Sequence, residues 1–128
     1  RFHAALKTRP WAGYLGIIPA EAMPAAMAEA DVILNNSVAE GLPNALLEAT
    51  VVGRPILARD IPGNAAVVRP GENGLLYGDE AEFSACASRL LDDDALRAVL
   101  SRADREGYRP ELEAAELWRL CKGMLGEA

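Results

Sequence analysis

Four short apolar runs punctuate the first two thirds of the chain. They are Ala12-Gly13-Tyr14-Leu15-Gly16, Asp31-Val32-Ile33-Leu34-Asn35, Pro55-Ile56-Leu57-Ala58 and Gly74-Leu75-Leu76-Tyr77. Apolar residues run on in them without strict alternation, which predicts strands covered on both faces, as in a parallel sheet. Between the runs the polarity follows a helical period. The stretch from Glu21 to Ala30 puts Met23, Met27 and Ala30 on one face, which assigns Met23 and Met27 to the core. A helix is expected to start near Pro43, a proline tolerated in a first turn, and to stop at Gly53. A short helical turn follows at Pro62-Gly63-Asn64. Asp79 and Glu82 form a capping-box pattern for a helix reaching Leu91, Asp94 can cap the next one, and Pro110 can open a last helix running to Leu125. Phe2 to Lys7 reads as the tail of an earlier helix. Strand and helix alternate and then helices cluster, so the predicted fold class is α/β: a doubly wound parallel sheet with helical packing at the C-terminal end.

Composition narrows the classes of function. A chain of 128 residues suits one domain and can bury a core without covalent staples. At 51% hydrophobic and 25% charged it has the balance of an ordinary soluble domain. The net charge of -6 argues against a general affinity for nucleic acid or anionic membrane, while leaving room for one anion site built from backbone amides. Cys86 and Cys121 are the two cysteines and His3 the one histidine, too few for a disulfide framework or a zinc site. That pattern fits a reducing, cytoplasmic setting. No apolar run approaches the roughly 20 residues of a membrane span, and no secretory signal opens the chain. The chain begins at Arg1 rather than methionine and reads as an excerpt from a longer polypeptide.

In an open parallel sheet, ligands sit beyond the carboxyl ends of the strands. Four segments leave the predicted ends: Ile17-Ile18-Pro19, Asn36 to Pro43, Arg59 to Asn64, and Gly78-Asp79. The second is the longest and most polar, and it runs straight into a helix N-terminus, where free N–H groups and the helix dipole favour a phosphate. Gly41 lets backbone approach a ligand. Glu48, further along that helix, can accept hydrogen bonds from hydroxyls. An anion site flanked by two carboxylates suits a sugar nucleotide. The spacing of Glu40 and Glu48 is not distinctive, since Glu21 and Glu29 repeat it, as do Glu72 and Glu80. On the residues alone another reading stays open: Glu48 is a solvated helix residue and Gly41-Leu42-Pro43 only a turn.

The stretch Ser37-Val38-Ala39-Glu40-Gly41-Leu42-Pro43-Asn44-Ala45-Leu46-Leu47-Glu48-Ala49 resembles the Glu-x7-Glu motif of retaining GT-B glycosyltransferases. Its flanks are similar too: Gly16-Ile17-Ile18-Pro19 and Ala30-Asp31-Val32 before it, then Gly53-Arg54-Pro55-Ile56-Leu57-Ala58, Pro62-Gly63-Asn64 and Gly71-Glu72-Asn73-Gly74-Leu75-Leu76 after it. The likeness covers about residues 11 to 91 in order, and the group it most resembles is the glycosyltransferase 1 domain-containing proteins. The resemblance implies a Rossmann-like C-terminal GT-B domain, spanning residues 1–128, that binds the nucleotide-sugar donor. It also implies that the domain is truncated on its N-terminal side and separated from its acceptor domain. By the same resemblance Glu48 binds ribose hydroxyls, Glu40 is the catalytic carboxylate facing the transferred sugar, and the backbone of Gly41, Leu42, Pro43, Asn44 and Ala45 holds sugar and diphosphate. Ile17 and Ile18 then lie beside the base, and Asn64 lines the opposite wall. The implied donor is a nucleoside diphosphate sugar, with no cofactor or metal required.

Two features depart from the family's pattern. Its basic pair, an arginine and a lysine that neutralise the diphosphate, belongs to strands and loops earlier than Arg1, and the glutamate that often follows the third loop's glycine is replaced in the run Asn64-Ala65-Ala66. Two other readings remain: a GT-B relative acting as a sugar-nucleotide epimerase, and a doubly wound binding or interaction module without catalysis. Asp92-Asp93-Asp94 contains an Asp-x-Asp, yet it joins two helices, where aspartates cap. Asn35-Asn36-Ser37 is a glycosylation sequon only in form. The last helix carries Leu117, Trp118, Leu120, Cys121, Met124 and Leu125, an apolar set expected to favour self-association where it lacks a partner.

Overall fold

Three of the four apolar runs pair into one sheet in the computed structural model, which describes residues 7–102. Ile33–Asn35 forms β1, Ile56–Arg59 forms β2 and Gly74–Tyr77 forms β3, all parallel and in the spatial order β1-β2-β3. Ile33 pairs with Ile56, and Ile56 in turn with Gly74. Helices fill the connections, as parallel pairing requires. A 3₁₀ turn at Ala20–Ala22 leads into α1, Met23–Ala28. Next come α2, Asn44–Val52, and the short α3, Pro62–Ala65. After β3 come α4, Glu80–Asp92, and α5, Asp94–Leu100.

The central strand explains why its sequence is continuously apolar. Ile56 and Ala58 face one core with Met27 of α1 and Leu46 and Ala49 of α2. Leu57 faces the other, with Leu75 and Tyr77 of β3, Leu90 of α4 and Leu100 of α5. Helices therefore cover both faces, and the fold is the Rossmann-like doubly wound α/β arrangement expected. Leu46, Ile56, Leu90 and Leu100 are at most 1–2% exposed, and burying each such side chain contributes roughly 1.5–3 kcal/mol. Met27 lies in the first core with Met23 packed against it, as assigned.

The helix ends follow their sequence signals with small shifts. Gly53 closes α2 at φ 75°, a left-handed conformation that a side chain would disfavour, and its N–H reaches the carbonyls of Ala49 and Thr50. Pro43 stands just before α2 rather than inside its first turn. Asp79 caps α4 by accepting the Glu82 N–H at 2.9 Å, while the Glu82 carboxylate returns to the Gly78 N–H at 2.6 Å, one residue earlier than in the usual box. Asp93, not Asp94, caps α5, accepting the Leu96 N–H at 2.8 Å. Asp94 is the first helical residue and pairs with Arg97 instead.

Two expectations are corrected. Residues 12–16 form no strand: a segment becomes one only by joining a ladder of backbone hydrogen bonds, and the sheet among the described residues consists of β1, β2 and β3. Leu15 is accordingly 82% exposed. Nor is β1 covered on both faces. Ile33 packs against the first core, but Leu34 is 54% exposed, because α4 lies over β3 at the far edge of the sheet. The reading of Phe2 to Lys7 falls outside the described residues except at Lys7. So do His3, the helix from Pro110 to Leu125, and its apolar set around Trp118 and Cys121.

Candidate functional site

The loop from Asn36 to Pro43 leaves the carboxyl end of β1 and delivers the chain to the N-terminus of α2. Its far end is anchored by Pro43, which is buried. Its near end is held by side chains from three strands or turns. Asn35 accepts the Ser37 N–H on Oδ1 at 2.8 Å, folding the chain back at the end of β1. The same oxygen receives a longer bond, 3.4 Å, from Asn64 Nδ2, which also donates to the Arg59 carbonyl at 2.9 Å. From β3 the Tyr77 hydroxyl donates to Asn36 Oδ1 at 3.0 Å. A loop of mostly exposed residues thus has a fixed base.

Within the loop Glu40 is exposed, and its Oε1 accepts the Ser37 hydroxyl at 2.5 Å. Gly41 and Leu42 are also exposed, and a Cβ added at Gly41 would point into open space. Packing within the described residues therefore does not explain the absence of a side chain there. At Gly63 it does: a Cβ would lie 2.8 Å from both the Glu40 carbonyl carbon and the Gly41 oxygen, closer than any real side chain comes. Gly63 lets α3 lie directly against the Glu40-Gly41 backbone.

Glu48 is one helical stage further on. Its exposed carboxylate lines a cleft of about 320 Å³ together with Asn44, Leu47, Val51 and Val52 of α2 and Pro24 of α1. Arg54 steadies α1 by donating from its guanidinium to the Ala28 carbonyl at the helix end. The cleft is thus lined by α2 and by the first turn of α1, and it includes the exposed Asn44 at the start of α2.

Of the residues singled out from the sequence, Asn44 and Glu48 share the cleft, while the backbone of Glu40 and Gly41 meets Gly63 of the Pro62–Ala65 turn. Ile18 is half-buried and Ile17 stands 95% exposed, so Ile17 is not packed against the loop. Asn64 is wholly buried and presents its amide nitrogen to Asn35 and Arg59; its Oδ1 has no hydrogen-bond partner. Ser37, Gly63 and Tyr77 were not assigned to the site from sequence. Only Ser37 left a local signal, a hydroxyl three positions before a carboxylate in a loop; the other two act across the fold. On the opposite face of the sheet a second cleft of about 250 Å³ is lined by Leu34, Asn36, Arg59, Tyr77, Asp79 and Phe83 among others. Among the described residues no group of three or more His, Cys, Asp or Glu is placed to hold a metal ion, and no helix is long and apolar enough to cross a membrane.

Residues 3–93 match the family model of the glycosyl transferases group 1. A glycosyltransferase 1 domain-containing protein 1 of Xenopus tropicalis is 37% identical over 89 residues, which is 69% of this chain and 26% of that protein. A 2-deoxystreptamine glucosyltransferase of Streptomyces kanamyceticus is 35% identical over 100 residues, 77% of this chain and again 26% of the relative. The chain therefore spans about a quarter of the length of these relatives. Among solved structures, HepE of Anabaena in complex with UDP-glucose matches with a TM-score of 0.69 at 23% identity, over 80% of this chain and 29% of that one. HepE in complex with UDP and glucose matches with a TM-score of 0.68 at 25% identity, over 78% and 27%.

Proposed function

The chain belongs to the glycosyl transferases group 1, and on that premise we propose that it is the donor-binding domain of a GT-B glycosyltransferase. The reaction moves a sugar, with retention at the anomeric carbon, from a nucleoside diphosphate sugar to an acceptor held by a second domain. One observation carries the reading. Two exposed carboxylates, Glu40 on the loop after β1 and Glu48 in the cleft along α2, stand before and after the start of that helix in the chain, where the loop leaves the carboxyl end of a parallel strand. Such an N-terminus offers unpaired N–H groups and positive potential to a diphosphate. On this reading Glu48 accepts hydroxyl hydrogen bonds from the ribose and Glu40 from the transferred sugar. The backbone from Gly41 to Ala45 lies between them, with open space beside Gly41 for the ligand. Ile17 and Ile18 flank the base.

Asn64 belongs to this site through the loop it supports. The chain's share of its relatives, 26% of each, agrees with a protein in which the acceptor is bound elsewhere. Donor and acceptor meet between two domains in this arrangement, so residues 1–128 alone are expected not to transfer sugar. UDP-glucose and UDP are bound by the structurally similar HepE, which makes a UDP-sugar the first donor to try, in the cytoplasmic, metal-free setting expected for this domain.

The test is a thermal-shift screen of the full-length protein against UDP-, GDP- and ADP-sugars. A ligand at a hundredfold excess over its Kd stabilises the native state by about 2.7 kcal/mol, a shift of several degrees. One class of donor should raise the midpoint and the others should not. No shift with any donor at millimolar concentration overturns the reading. The anomeric configuration of the product, read by NMR, decides retention.

A further inference from the structure

A glutamate on an exposed loop ordinarily samples several rotamers. Glu40 has neighbours that restrict both its carboxylate and its backbone. Ser37 donates its hydroxyl to Oε1 at 2.5 Å, and the Ser37 N–H is itself fixed on Asn35 Oδ1 at 2.8 Å. That oxygen is shared with Asn64 Nδ2, which also holds the carbonyl of Arg59 at the end of β2. The residue before Asn64 closes the circuit. Gly63 is buried against the Glu40-Gly41 backbone so tightly that a Cβ would lie 2.8 Å from the Glu40 carbonyl carbon. From Glu40 the path runs through Ser37, Asn35 and Asn64 to Gly63 and back to Glu40.

We infer that Ser37 and Gly63 are positioning residues: Ser37 sets the direction of the Glu40 carboxylate, and Gly63 sets the height of the Glu40-Gly41 backbone above the sheet. The inference rests on the reading of Glu40 as the group facing the transferred sugar. Neither residue need touch the ligand. Their effect is on alignment, which matters most in the transition state and little for the nucleotide end of the donor. Asn64 gives the circuit its footing, because a wholly buried amide joining β1 to β2 cannot swing aside without losing both partners.

The experiment uses the full-length protein and needs no acceptor. Water replaces it: the donor's anomeric C–O bond breaks, the water oxygen bonds to that carbon, and nucleoside diphosphate and free sugar are released. Release of diphosphate is followed from UDP-, GDP- or ADP-glucose, whichever turns over fastest, and calorimetry with the matching diphosphate gives Kd. Ser37→Ala should lower kcat roughly tenfold and Gly63→Ala about a hundredfold, with diphosphate Kd within about twofold of the parent in both. Ser37→Thr keeps the hydroxyl and should recover most of the loss. Circular dichroism checks that Gly63→Ala is folded, and the Ser37 pair stands independently of it. If Glu40→Ala slows turnover but Ser37→Ala and Gly63→Ala do not, the positioning roles are overturned and the donor site is not. A loss in Ser37→Ala that Ser37→Thr fails to recover also overturns the assignment to the hydroxyl. If Glu40→Ala itself turns over like the parent, or no donor is hydrolysed, both readings fall.

Discussion

The Tyr77 hydroxyl donates to Asn36 Oδ1 at 3.0 Å, so the last residue of β3 holds the first residue of the loop that carries Glu40. Two strands separated by β2 are joined at their carboxyl ends by a side chain long enough to cross it. The ring of Tyr77 is 4% exposed and meets Phe83 edge-on at 5.0 Å between centroids, so its position is set by the core rather than by the hydroxyl.

Tyr77→Phe should therefore keep the packing and remove only the tether. A bond of this kind contributes about 1 kcal/mol net. Local opening of the loop base should become about fivefold more frequent. Hydrogen exchange at the amides from Asn36 to Gly41 of the full-length protein should quicken by that factor, while exchange in α4 stays as it was. Unchanged exchange at the loop would mean that water replaces the phenol without cost.

Three aspartates at the starts of α4 and α5, Asp79, Asp93 and Asp94, should differ in a defined order. Asp93 accepts an N–H of the first turn of α5, and Asp79 does the same for α4, whereas Asp94 only pairs with Arg97 at the surface. Asp93→Ala and Asp79→Ala should each destabilise by about 1 kcal/mol. Asp94→Ala should cost no more than about 0.5 kcal/mol, since exposed pairs contribute little. Thermal denaturation of the three variants checks the order. A larger loss at Asp94 than at Asp93 would restore the cap to the position the sequence pattern first suggested.

The parts of the fold that were legible from sequence were those whose signal is local. The run Ile56-Leu57-Ala58 is apolar on both faces because β2 is covered on both, and Gly53 stops α2 because only glycine sits easily at φ 75°. The miss at residues 12–16 has the opposite cause. Leu15 and its neighbours have the composition of a strand, but pairing is a property of the partner, and composition cannot report one. Leu34 looks like Leu57 in sequence and differs only in lying at a sheet edge beyond the reach of α4. The loop from Asn36 to Pro43 and its two glutamates could be located because strand ends and helix starts are punctuated. The residues that hold that loop could not, because Gly63 and Tyr77 meet it only after the chain has folded back across β2.

The two glutamates provide the sharpest separation of roles. If Glu48 binds ribose, its carboxylate accepts hydrogen bonds that exist as soon as the nucleotide binds, and bonds to a charged group contribute roughly 1.5–3 kcal/mol each. Glu48→Ala in the full-length protein should then weaken bare nucleoside diphosphate by about tenfold to a hundredfold. Glu40 acts at the other end of the donor, where the diphosphate has no atoms to contact. Glu40→Ala should leave diphosphate binding nearly intact and lower turnover of the sugar donor, since orientation of the transferred ring matters most in the transition state. The alternative is that Glu48 is only a solvated residue on the exposed side of α2, beside a cleft that holds nothing. Its replacement should then change stability and binding by no more than about 0.5 kcal/mol. Calorimetry with the diphosphate and initial rates with the sugar donor, on both single variants, distinguish these cases. Equal and negligible effects at the two positions would remove the pair from the site, because neither the cleft at Glu48 nor the hydroxyl at Glu40 would then be holding a group that the ligand uses.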